Sequence, residues 1–123
     1  MGGVGTESAP YHNEAWFVVR RDALVLDRQT GIARLDDQTG IASAVARGAL
    51  SAFMFTTKQL AKDFIKRFYD RTFWTAICPQ GPNMYADFLE HLREQGYTHL
   101  IIDDQLHRSV RRALRLMARE RSS

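Results

Sequence analysis

Hydrophobic positions in this chain fall into short runs whose period changes along its length. Residues 16–19 (WFVV) and 23–26 (ALVL) are compact apolar runs of β type. Arg20, Arg21 and Asp22 separate them, a spacer short enough for a tight turn or a bulge. The segment DRQTG at 27–31 carries turn chemistry between strands expected at 23–27 and 32–35, because glycine accepts the positive φ such turns need. QTGIA occurs at 29–33 and again at 38–42. Two copies are too few for a stacked array, which needs about three. The duplication reads as repeated turn chemistry, with a nine-residue ligand loop as the alternative. Alanine-rich 41–50 suggests a short helical turn, and 51–55 (SAFMF) a buried strand.

From residue 56 the period becomes helical. Thr56 and Gln59 have capping-box spacing, and a helix expected over 57–71 places Leu60, Ala61, Phe64, Ile65 and Phe68 on one face. Lys58, Lys62, Lys66, Arg67 and Arg71 occupy the other face, with Asp63 placed to pair with Arg67 at i,i+4. A fifth apolar run, 73–78, is closed by Pro79-Gln80-Gly81-Pro82. Asn83 then reads as the N-cap of a helix whose stripe is Met84, Tyr85, Phe88, Leu89 and Leu92. Gly96 stands where a left-handed C′ residue belongs. A strand at 97–103 follows, apolar on both faces and therefore expected to be central. A last helix is expected over about 104–119, capped by Asp104, with Leu106, Val110, Ala113, Leu114 and Met117 inward.

Early hairpin strands followed by strand–helix alternation predict an α/β (α+β) fold. The expected architecture is a single mixed sheet of about five to six strands with three helices packed on it. The order implies a disordered leader at 1–14 and one domain over 15–123. The stretch 53–61 (FMFTTKQLA), with 96–103 (GYTHLIID), resembles the N-terminal domain of SseB-type proteins. That resemblance covers about residues 16–104 and implies a non-catalytic α/β module with a regulatory or interaction role. It supplies no catalytic residues. The chain departs from it in lacking a proline before Phe53 and in continuing into an arginine-rich segment.

Composition narrows the function classes. With 45% apolar and 25% charged residues the chain has the balance of a soluble globular domain. No apolar run approaches the ~20 residues of a membrane span, so no membrane association is expected. A single cysteine, Cys78, excludes an internal disulfide and points to the cytoplasm. Charge is uneven. Residues 1–104 hold 11 Lys or Arg against 13 Asp or Glu, whereas 105–123 hold six Arg against one Glu.

Candidate chemistry is sparse. Cys78 lies at a predicted strand end, but no histidine is spaced to activate it, and a buried structural role is the favoured reading. Asp103 and Asp104 lie past a central strand, at the edge where open α/β sheets bind ligands. The simpler reading makes Asp104 a helix cap and Asp103 solvated. No cofactor or metal is expected, nor any catalytic residue. The strongest surface feature is the arginine set Arg108, Arg111, Arg112, Arg115 and Arg119, a candidate partner- or phosphate-binding row. The expected function is a protein-interaction or regulatory module meeting an acidic partner surface. Nucleic-acid binding by the same helix is the alternative, an enzyme near Cys78 or Asp103/Asp104 the second alternative, and a homodimer stays open.

Overall fold

The computed structural model describes residues 14–26, 33–104 and 106–115. The expected leader, the turn at 27–31 and the first QTGIA copy up to Ile32 lie outside these residues, as do Met117 and Arg119.

Eight strands and three helices are formed among the described residues. In chain order they are β1 (Trp16–Arg20), β2 (Leu24–Leu26), β3 (Ala33–Leu35), β4 (Ser43–Ala46), β5 (Ala49–Phe55), α1 (Lys58–Phe68), β6 (Trp74–Ile77), α2 (Gly81–Glu94), β7 (His99–Ile102), β8 (Leu106–Ser109) and α3 (110–115). Six strands make one mixed sheet in the order β6-β1-β5-β7-β8, with β4 also paired to β5; β2 and β3 form a separate ribbon. The expected mixed α+β architecture is thus present, with the early hairpin set apart from the main sheet.

The sheet direction follows from the crossovers. β5 and β6 are both antiparallel to β1, which lies between them, and β7 runs parallel to β5. The chain leaves β5 toward one edge by α1, then returns by α2 to β7. Crossovers of one hand that travel in opposite directions must pass over opposite faces. The core is accordingly split. Phe17, Val19, Met54, Leu100 and Ile102 pack with Tyr85, Phe88, Leu89 and Leu92 of α2. Val18 and Phe55 pack with Ala61, Phe64 and Ile65 of α1 on the other face. Coverage on both faces explains why 17–19 is an unbroken apolar run.

Several local expectations are corrected. Residues 41–50 form no helical turn but the β4–β5 hairpin, closed by Arg47 (φ 53°) and Gly48 (φ 77°). Two positive φ values make a two-residue turn whose twist matches that of the strands it joins, and pairing with β5 overrides alanine's helix preference. Helix α1 is capped by Thr57, whose hydroxyl accepts the Leu60 N–H, one residue later than the capping box suggested. Helix α2 begins at Gly81 without a side-chain cap, and Asn83 sits in its first turn beside Pro82. Proline fits there because first-turn amides have no helical partner. Gly96 does end α2 left-handed (φ 100°), and the Tyr97 N–H donates to the Leu92 carbonyl.

The largest correction concerns the last helix. Residues after Asp104 turn back as β8, antiparallel to β7 with Ile102 opposite Leu106. Helix α3 starts only at 110, and its cap is Ser109, whose Oγ accepts the Arg112 N–H at 2.9 Å. Asp104 (φ 62°) is a hairpin residue and caps nothing.

Candidate binding site

Helix α1 is amphipathic, so docking Ala61, Phe64 and Ile65 onto the sheet forces its lysines outward. The buried stripe is shorter than its pattern suggested: Leu60 is 41% and Phe68 59% exposed. Helix α1 lies over the edge strand β6 and its neighbour β1. A groove of about 1290 Å³ lies between α1 and these strands.

Four aromatic residues from three segments line this groove: Trp16 of β1, Phe68 and Tyr69 at the end of α1, and Trp74 of β6. Tyr69 and Trp74 lie in ring contact at 4.5 Å between centroids. Phe64 links the set from below, 5.1 Å from Phe68 and 5.7 Å from Tyr69. Burial pushes the Tyr69 hydroxyl pKa up, with a smaller contribution from Tyr97.

Cations interleave with these rings. Arg21, Lys58, Lys62, Lys66, Arg67 and Arg71 line the groove, against Asp63 and Asp70. Lys58 Nζ sits 5.6 Å over the Trp16 ring, and the Arg67 guanidinium 5.5 Å over Phe68. Both carboxylates are engaged by neutral donors: Gln59 Nε2 donates to Asp63, and the Thr72 N–H to Asp70. The expected Asp63–Arg67 pair is replaced by the Gln59 contact. Among the described residues, ion pairs join Arg20 to Asp22 and Asp37 and Arg93 to Glu90, and none involves the groove cations.

Compared with known proteins, the chain matches no family model and no curated sequence.

The arginine row is not one surface. Arg108 belongs to β8, opposite Leu100, and is half-buried. Arg111, Arg112 and Arg115 are exposed on α3. Val110, Ala113 and Leu114 anchor α3 to the face covered by α2. The arginines of α3 and the lysines of α1 therefore lie on opposite sides of the sheet.

Asp103 is half-buried and hydrogen-bonded rather than simply solvated, and Asp104 beside it is exposed. Its Oδ1 accepts the Thr56 N–H and its Oδ2 the Thr56 hydroxyl, both at 2.8 Å. Its own N–H donates to the Met54 carbonyl at 2.9 Å. The carboxylate thus clips the end of β5 to the end of β7, and Thr56 is spent on this clip rather than on a helix cap. Cys78 is half-buried, its Sγ 3.8 Å from the Pro79 carbonyl oxygen. The Nε2 of His91 accepts the Leu35 N–H at 2.9 Å. Among the described residues no three His, Cys, Asp or Glu side chains gather as a metal site. None of the described helices is long and apolar enough to cross a membrane.

The second QTGIA copy has a structural job. Gln38–Gly40 forms a 3₁₀ turn in which Asp37 accepts the Thr39 N–H and hydroxyl. Arg20 donates to Asp37 at 2.7 Å. Gly40 and Ile41 are buried. No ligand loop is needed to explain this copy.

The sequence showed the lysine row but not the groove. Its aromatic members come from positions 16, 68, 69 and 74, and only the return of β6 beside β1 brings them together.

Proposed function

We propose that this chain is a non-catalytic binding module that engages a polyanionic macromolecule through the α1 face. The observation that carries this reading is the row of exposed cations on α1, with no ion pair among the described residues to neutralise it. Free surface cations cost little to desolvate partially, and they raise encounter rates with an oppositely charged partner. The resemblance to SseB-type domains points toward the same non-catalytic class. The test is retention of the full chain on immobilised heparin at low salt. The wild type binds and elutes at moderate salt, whereas K62E/K66E/R67E elutes early or flows through. Free passage of the wild type, or unchanged retention of the variant, overturns the reading.

A second reading keeps an acidic partner protein on α3. It is favoured by the anchoring of that helix, which presents Arg111, Arg112 and Arg115 from a fixed frame. Affinity capture with wild type and with R111E/R112E/R115E compares the two surfaces. A partner lost only with the α3 variant supports this reading.

A further inference from the structure

The geometry points to single-stranded nucleic acid as the polyanion of the α1 groove, with phosphates on the lysine row and bases stacked on the groove aromatics. The inference rests on the polyanion reading of that face and adds the partner's chemistry.

Three features distinguish this partner from other anions. The groove is a recess between a helix and the strands beneath it, which suits a polymer chain and not a planar bilayer. Its helix is held by Phe64 and Ile65 in the core, so it cannot roll an apolar face into lipid. Cations and rings also meet in it, Lys58 over Trp16 and Arg67 over Phe68. An acidic peptide would use the lysines and leave Phe68 and Trp74 unoccupied, whereas nucleotides present a charge and a π-face in every unit. Duplexes keep those base faces stacked on one another, so only a single strand can spend them on protein aromatics. Phe68 is 59% exposed even with Arg67 and Phe64 against its ring, so it keeps area for a base.

Spacing agrees with this occupant. Lys58, Lys62 and Lys66 recur every fourth residue, so the row spans ~12 Å along the helix. Successive lysines lie ~6 Å apart along the helix, so an unstacked strand can set one phosphate on each, about three in all. Three neutralised phosphates on a single strand give a slope near −2 in log affinity against log salt.

The protein carries its own reporter. Its two tryptophans, Trp16 and Trp74, both line the groove. Titrating the full chain with a 20-nucleotide oligo(U) or oligo(dT) at low salt therefore quenches its intrinsic tryptophan fluorescence. Anisotropy of a labelled oligonucleotide gives affinity, with a salt slope near −2. K62E/K66E weakens binding by tenfold or more, and F68A by roughly fivefold to a hundredfold through loss of one stacked base. R93Q, on α2 across the sheet, leaves both signals unchanged. Circular dichroism checks that the exposed substitutions keep the fold.

Outcomes separate cleanly. Heparin or polyglutamate binding without oligonucleotide binding overturns the inference and leaves the polyanion reading standing. So does duplex binding equal to single-strand binding with no effect of F68A, which means charge alone. Binding only to anionic vesicles assigns the face to a membrane and overturns the inference. Absence of binding to every polyanion removes the reading and the inference together.

Discussion

Close approach decides the behaviour of individual residues here. Gly40 sits against Ala23, and a Cβ placed on it would come 2.4 Å from the Ala23 Cβ. Gly40→Ala is expected to cost about 1–3 kcal/mol in urea denaturation by overpacking, and Ala23→Gly in the same chain should recover part of that loss. Additive losses in the double variant would show that the contact is not the cause. Nothing in the repeated QTGIA reveals this packing, because Ala23 is far from Gly40 in sequence. Acid behaviour is also set at single residues. Arg20 and the Thr39 donors hold the Asp37 carboxyl near a pKa of about 2, below its usual 3.8. A carboxyl depressed in the folded state stabilises above its ordinary pKa and loses that contribution as pH falls from about 4 to about 2. Asp37→Asn should flatten the stability profile in that window, read by thermal melts at pH 5, 4, 3 and 2.

Elements show where adjacent residues of one type take different roles. Thr57 caps α1, whereas Thr56 gives both its N–H and its hydroxyl to Asp103 across the β5–β7 ends. Thr57→Ala is expected to cost about 1 kcal/mol, as for an ordinary N-cap. Asp103→Ala leaves the Thr56 donors without their acceptor and should cost about 1–3 kcal/mol. Denaturation of D103A, T56A and the double variant tests the link: losses that fail to add indicate one shared interaction. The same competition explains the last helix. Asp104 and Ser109 are equally good caps by residue type. Pairing of 106–109 with β7 removes those four residues from the helix, and only Ser109 remains at its start.

For the whole molecule, the β2–β3 ribbon is held by Leu35 in the core and by polar bonds to the end of α2. The Leu35 N–H donates to His91 Nε2, and Gln95 Nε2 donates to the Leu35 carbonyl, each at 2.9 Å. Burial, with the nearby Arg34 charge, lowers the His91 pKa from the usual 6.5. The unfolded chain then binds a proton at higher pH than the folded one, so stability falls as pH drops below about 6.5 toward the lowered value. His91→Gln, which keeps an acceptor, should remove this slope; an unchanged slope between pH 7 and 5 would place its origin elsewhere. Apolar period alone made β1, β5, α1, α2 and β7 legible, since burial demands matching faces whatever the topology. It also showed the cation row of α1 and the arginines beyond 105. Strand order, the reversal at Asp103–Asp104 and the gathering of Trp16, Phe68, Tyr69 and Trp74 depend on contacts between residues far apart in the chain. Local pattern carries no term for such contacts. The sequence determined which faces must be buried and which charges must stay in water. Tertiary structure decided which of those charges share a surface, because opposite crossovers place α1 and α2 on opposite faces of one sheet.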